Sequence, residues 1–231
     1  MRYSLFLFLT LLLTCLIGYG TFMTARLLRT WKPEGNILLY GPENWLRILL
    51  VGACILLGLL SGVPQSDLGW NYTNGANQLL QGFLWGIAIA LFFFLATRWL
   101  VTHTGQQFYS STIILAIIPR SISEATLVIL AMIPAVLVEE LLFRSLLLGG
   151  LGPLAPTWIL LLGSAVLFGI LHSPQGIWGM VGASLAGGLF GGLFLWQNSL
   201  ITPTIAHYVA NLVQIGIAAL IQEEITTQEK Y

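Results

Sequence analysis

Apolar runs of bilayer length recur along this chain and leave little room for a water-facing surface. The hydrocarbon core of a membrane is about 30 Å thick, so a spanning helix needs about 20 apolar residues in succession. Runs of that order occupy residues 4–23, 46–63, 79–99, 125–148, 154–172, 177–196 and 201–221. Only 8% of the 231 residues are charged, against about 25% in a soluble globular domain. Lipid offers the backbone no hydrogen-bond partners, so the spans must be helical. The expected fold is all-α: a multi-pass transmembrane helical bundle of about seven spans. A further apolar piece at 112–119 is too short to cross. An eighth crossing would require residues 103–123 to re-enter the bilayer.

Charge narrows the function classes. Nine Lys and Arg balance nine Asp and Glu. A nucleic-acid binder needs a basic excess to displace counterions from phosphates, and there is none here. Cys15 and Cys54 lie inside apolar runs, where they act as small apolar fillers rather than a disulfide framework. The first run is longer than a signal-peptide core and lacks a small-x-small cleavage site, so it is expected to be retained. No linker or repeat interrupts the runs, and residues 1–231 are expected to form a single integral membrane domain.

Basic residues set the expected orientation. Arg26, Arg29 and Lys32 fall between the first and second runs, with Arg47 at the very start of the second; Arg98 ends the third run, Arg120 precedes the fourth, and Lys230 lies in the tail. The alternate loops carry no Lys or Arg. The C-terminus is therefore expected in the cytoplasm and the N-terminus on the other side.

The informative residues are the polar ones at membrane depth: Glu139, Glu140, Arg144, His172, His207 and Asn211. Each would cost a few kcal/mol in lipid if unpaired, so each is by default a functional candidate. Glu140 and Arg144 stand i, i+4 on one helix face, with the acid on the favourable N-terminal side. Glu139 lies about 100° round the helix without a local partner. Such a carboxylate is placed to take a proton from water, as a general base does. Phe168 shares a face with His172, and His207 with Asn211, again at i, i+4.

Depth ties these pairs together. Turn residues 149–156 and 197–199 mark hairpin tips on one side of the membrane. At about 1.5 Å per residue, Glu139 lies about 21 Å and His172 about 28 Å from the first tip. From the second tip, His207 lies about 13 Å and Asn211 about 20 Å in. Three helices thus place polar groups in one slab roughly 15 Å deep. His103, between Thr102 and Thr104, reads instead as an exposed loop residue. In the sixth run, Gly187/Gly191 and Gly188/Gly192 form GxxxG pairs that let helices approach closely.

Together, Glu139-Glu140-x-x-x-Arg144, Phe168-x-x-x-His172 and His207-x-x-x-Asn211 resemble the three motifs of the CPBP family. That family comprises the type II CAAX prenyl proteases and bacterial relatives, including bacteriocin-processing and immunity proteins. The motifs occur in order on separate expected helices and cover 139–211, within a core of about 123–221. Residues 1–110 carry no such signature. The resemblance implies an intramembrane endopeptidase that cuts a peptide bond in a membrane-associated or prenylated, CAAX-type protein. Its partners would be the lipid bilayer and a protein or peptide substrate, lipidated in the CAAX case, with no nucleic acid. It implies that Glu139 and His172 activate a water and that His207 and Asn211 form the oxyanion site. Glu140, Arg144 and Phe168 would organise that site. The best-described members continue with a further helix, whereas this sequence stops about ten residues past 221; substrate access or packing is expected to differ.

The family has been described both as metal-dependent and as glutamate-dependent without a catalytic metal. Glu139, His172 and His207 offer three ligands, enough for Zn²⁺ with an open water position. If Glu139 bound the metal, the base would have to be Glu140, which Arg144 holds charged. A metal-free site keeps each residue in one role and is the favoured expectation, with Zn²⁺ as the alternative. Two other functions use the same residues: a small proton-coupled transporter, since buried carboxylate–histidine sets also relay protons, and a non-catalytic immunity or scaffold protein. The transporter would show inverted halves, whereas all the motif residues lie in the second half of this chain.

Overall fold

In the computed structural model, residues 1–28, 30–31, 35–104 and 112–228 are described. They form helices α1 (Arg2–Leu27), α2 (Gly41–Ser61), α3 (Gly75–Thr104), α4 (Thr112–Ile117), α5 (Ile122–Glu140), α6 (Thr157–Ile170), α7 (Gly176–Gln197) and α8 (Ile201–Gln228). No strand occurs among them. Six segments are long and apolar enough to cross a membrane: α1, α2, α3, α5 with its continuation to Gly149, α7 with the turn before it, and α8. The protein is an integral membrane helical bundle.

Three expectations need correcting. The fifth run does not form a full span: α6 has 14 residues, about 21 Å of helix against a core of about 30 Å. Pro156 sets its start, and Pro174 disfavours helix at the residue before it, so the chain turns at His172 and Ser173–Gln175. The third run extends through Thr104. His103 is therefore helical rather than in a loop; it is exposed, with its ring stacked on Trp99 at 4.7 Å. Finally, the fourth run is one continuous helix, but Leu141–Gly149 is π-helical. Lys230, Arg29 and Lys32 lie outside the described residues, as does most of the polar stretch after α3.

The π-helix is the centre of the bundle. Leu141 through Leu148 are all buried, as expected of a helix surrounded by protein on every side. Its wide turn closes with Gly150 N–H donating to the Ser145 carbonyl. Gly149 meets the loop after α2 so closely that a Cβ there would sit 2.1 Å from the Asp67 carbonyl oxygen. In return, the Ser145 hydroxyl donates to the Leu68 carbonyl at 2.8 Å, and Leu68 is fully buried. Leu200 N–H donates to the Gly69 carbonyl, and the Ser199 hydroxyl to the Asn71 carbonyl. The loop between α2 and α3 thus seals the end of the bundle where α5's continuation finishes.

Helix α3 packs mainly along α8, and α6 along α7. Of the two GxxxG pairs, Gly187/Gly191 forms the α6 contact: Cβ atoms there would lie 3.2 Å from Phe168 and 2.5 Å from Leu161. Gly188 and Gly192 meet no atom closer than 3.9 Å. Cys54 is buried and Cys15 exposed on the outer helix α1.

Candidate active site

A cavity of about 560 Å³ collects the motif residues. Glu139, Phe168, His172, His207 and Asn211 all line it, while Glu140 and Arg144 lie behind its wall. The cavity reaches from these groups toward the end of the bundle where α2 and α5 begin and α3 finishes, along Leu38, Arg47, Trp99 and Ile117.

The two glutamates part company at the junction of α5 with the π-helix. Neighbouring helical residues point about 100° apart. Glu140 is directed into the protein with its side chain 1% exposed, and Glu139 into the cavity with 35% exposed. Glu140 Oε1 accepts a hydrogen bond from His207 Nδ1 at 2.8 Å and lies 3.2 Å from Arg144 Nη1. The arginine contact is a close approach of charges rather than an aligned hydrogen bond. Glu140 Oε2 has no hydrogen-bond partner among the described residues.

Arg144 is buried almost completely, so its charge must be matched locally. Besides Glu140, its Nη2 donates to the Gly187 carbonyl at 3.1 Å. The guanidinium carbon stands 4.9, 5.5 and 5.9 Å from the ring centroids of Phe168, Phe190 and Phe143, within cation–π range. The absence of a Cβ at Gly187 lets α7 approach closely enough to supply that carbonyl.

His207 is fixed in two ways. A carboxylate only accepts, so Nδ1 is the donor toward Glu140. The ring plane is set by Phe190, stacked at 4.7 Å and 18°. Its Nε2 faces Glu139 Oε2 at 3.6 Å. His172 sits just past the α6 C-cap, Leu171. Its Nδ1 donates to the Phe168 carbonyl at 2.7 Å, and its ring leans on that of Phe168 at 4.5 Å. With Nδ1 as donor, the neutral ring keeps the Nε2 lone pair for a water. Asn211, one turn beyond His207, donates to Met132 Sδ at 3.6 Å, a weak acceptor that leaves the amide easily redirected.

Among the described residues, no three His, Cys, Asp or Glu side chains gather to hold a metal ion. Phe190 and the Gly187 carbonyl were not among the sequence candidates. The one sequence signal for Phe190 is a bulky aromatic inside the glycine-rich run Gly187–Gly192.

No curated protein and no solved structure matches the chain. Residues 121–213 match the family model described as "Type II CAAX prenyl endopeptidase Rce1-like". The matched segment contains both glutamates, Arg144, both cavity histidines and Asn211, so the similarity to type II CAAX prenyl endopeptidases covers every residue gathered at the cavity and its wall.

Proposed function

We propose that the chain cleaves a membrane-associated, CAAX-type protein or peptide with a water activated by Glu139 and His172. The observation that carries this reading is the convergence of Glu139, His172, His207 and Asn211 on one cavity. Glu139 is the general base: it faces the cavity, and Arg144 is engaged elsewhere. His172 orients the water through Nε2. As Glu139 takes the proton, the hydroxide adds to the scissile carbonyl carbon. The oxyanion receives hydrogen bonds from His207 Nε2–H and the Asn211 amide. Glu139 then passes the proton to the leaving amine.

With Nδ1–H committed to Glu140, His207 donates from Nε2 only as an imidazolium. Two carboxylates, one guanidinium and one imidazolium then form a neutral set, which suits a low-dielectric site. Glu140, Arg144 and Phe168 hold these groups in place. In this reading the site works without a metal, and Zn²⁺ is the alternative that chelation tests. The cavity receives substrate from the cytoplasmic side, where the basic loops lie.

The test compares membrane-protein termini in cells carrying the unsubstituted protein, Glu139→Ala or His172→Ala. Both substitutions are expected to abolish the cleaved termini, a loss of at least about 100-fold for a missing acid–base group, while the protein still accumulates in the membrane. Cleavage surviving in Glu139→Gln would overturn the reading. Activity is expected to persist in chelator; its loss there, with recovery on adding Zn²⁺, would establish the metal-dependent alternative.

A further inference from the structure

The walls of the cavity are mostly apolar, from α3, α5 and α7. A peptide that enters gives up its hydrogen bonds to water, and each of its N–H and C=O groups left unpaired in such surroundings is costly. Two carboxamides besides that of Asn211 line the cavity, those of Gln175 and Gln214. Both residues are half-buried and lie in segments long and apolar enough to span the membrane. Neither side chain makes a hydrogen bond among the described residues. Other amides of the bundle are committed: Asn44 donates to the Leu38 and Tyr40 carbonyls, Gln78 to the Thr73 carbonyl, and Gln197 to Gln81. A polar group at membrane depth without a partner of its own is by default a functional candidate.

Both carboxamides stand beside groups assigned to the reaction. Gln175 closes the tight turn after His172, its N–H donating to the His172 carbonyl at 2.9 Å. From this turn α7 runs back to Gln197, at the end sealed by the loop after α2. Gln214 stands three residues past Asn211 and seven past His207 on α8. Seven residues are nearly two whole turns, so Gln214 faces within about 20° of His207, about 10 Å farther along the axis and about 5 Å beyond Asn211. Helix α8 starts at the sealed end, where Leu200 N–H donates to the Gly69 carbonyl, so these steps lead toward the mouth of the cavity. Each carboxamide is thus about one turn nearer the mouth than His172 or Asn211, a distance that extended peptide covers in one or two residues.

We propose that Gln175 and Gln214 are substrate-positioning residues: their carboxamides pair with the peptide backbone one or two residues from the cut, on its mouth side. A carboxamide carries an acceptor oxygen and two N–H donors, which match the donor and acceptor of a peptide group. Such pairing holds the substrate extended and keeps the scissile carbonyl at the reacting groups. It reads main chain and makes no demand on the side chains at these positions. The inference rests on the endopeptidase reading above for the presence of a peptide in the cavity, but the pairing itself is read by binding alone.

The probe is a fluorescent S-prenylated CAAX-type peptide, made unmodified and as a series in which one backbone amide at a time is replaced by an ester. The ester keeps the shape of the amide but lacks the N–H and accepts more weakly. Binding to the full-length Glu139→Gln protein in detergent micelles is followed by anisotropy, so that each peptide stays whole. Esters at one or two positions are expected to weaken binding about fivefold, the share of one hydrogen bond. Adding Gln214→Met, which keeps the length of the side chain and removes the amide, should weaken binding of the unmodified peptide by a similar factor and erase the ester penalty at one position. Adding Gln175→Met should do the same at another. Neither carboxamide bonds within the chain, so the unfolding temperature should not change. Ester penalties that survive both substitutions, no penalty at any position, or no binding of the unmodified peptide would overturn the proposal. So would a fall in unfolding temperature on substitution, which would mark the amide as part of the frame. Failure of the unsubstituted protein to cleave the peptide, with the ester penalties intact, counts against the roles of Glu139 and His172 and upholds the carboxamides as a backbone-binding site.

Discussion

His207 Nδ1 stands 2.8 Å from Glu140 Oε1, in the interior wall of the cavity, while its Nε2 is turned toward Glu139. The second glutamate of the pair is thus held in the wall, and the first lines the cavity. The two should respond to substitution in different ways. Glu140→Ala removes the carboxylate between a buried arginine and a histidine, and breaking such a buried pair costs about 3–5 kcal/mol. It should lower the unfolding temperature in detergent and reduce the amount of folded protein. Glu139→Gln removes a group that is 35% exposed and has a near-isosteric amide in its place. Its unfolding temperature should stay close to that of the unsubstituted protein. Equal destabilisation by both substitutions would show that the glutamates share one structural role.

The frame and the site were legible in the sequence to different degrees. Glu139, Glu140, Arg144, His172, His207 and Asn211 stood out because ionisable and amide groups are costly in hydrocarbon, so their mere presence in apolar runs was a signal. The Glu140–Arg144 pairing followed from i, i+4 spacing and holds although Leu141–Gly149 is π-helical. The π-helix itself was not legible. Its hydrogen-bond register is decided by what Gly149 and Ser145 meet in the loop after α2, a contact about 80 residues away in sequence that leaves no local mark. The Gly187 carbonyl was hidden for a related reason, since every residue has one and only packing selects it. Phe190 looked like any apolar residue of a span. The end of α6 was masked by hydropathy: Leu171 and Ile177 are apolar on both sides of the turn, and only Pro174 marks it.

The glycines of the inner helices offer a sharper test of packing than their number does. A Cβ at Gly149 would lie 2.1 Å from a backbone oxygen, which cannot swing away as a side chain can. Gly149→Ala should therefore displace the loop between α2 and α3 and cost at least about 1–3 kcal/mol, the range for overpacking. Gly192 has nothing within 4 Å of its Cβ position. Gly192→Ala should fall within about 0.5 kcal/mol of the unsubstituted protein, with a small gain from better helix propensity. Thermal unfolding of both in the same detergent makes the comparison. A neutral Gly149→Ala would mean that the loop does not press on the π-helix as described.

Orientation can be tested with two cysteines at opposite ends of the bundle. Arg26, Arg47, Arg98 and Arg120 mark one end, where α1 and α3 finish and α2 and α5 begin; by the bias of Lys and Arg toward the cytoplasm, that end is expected to face inward. Arg2 stands at the other end, where its guanidinium donates to the carbonyls of Leu59 and Leu60 at the close of α2. Those bonds leave it engaged with the protein rather than free to draw the N-terminus inward. In a background of Cys15→Ser and Cys54→Ser, Gln65→Cys, exposed in the loop after α2, should react with an impermeant maleimide in intact cells. Ser123→Cys, exposed at the start of α5, should react only after the membrane is opened. The opposite pattern would invert the bundle and place the mouth of the cavity, with Arg47 and Trp99, on the outer face, so that a substrate would have to reach the site from outside the cell.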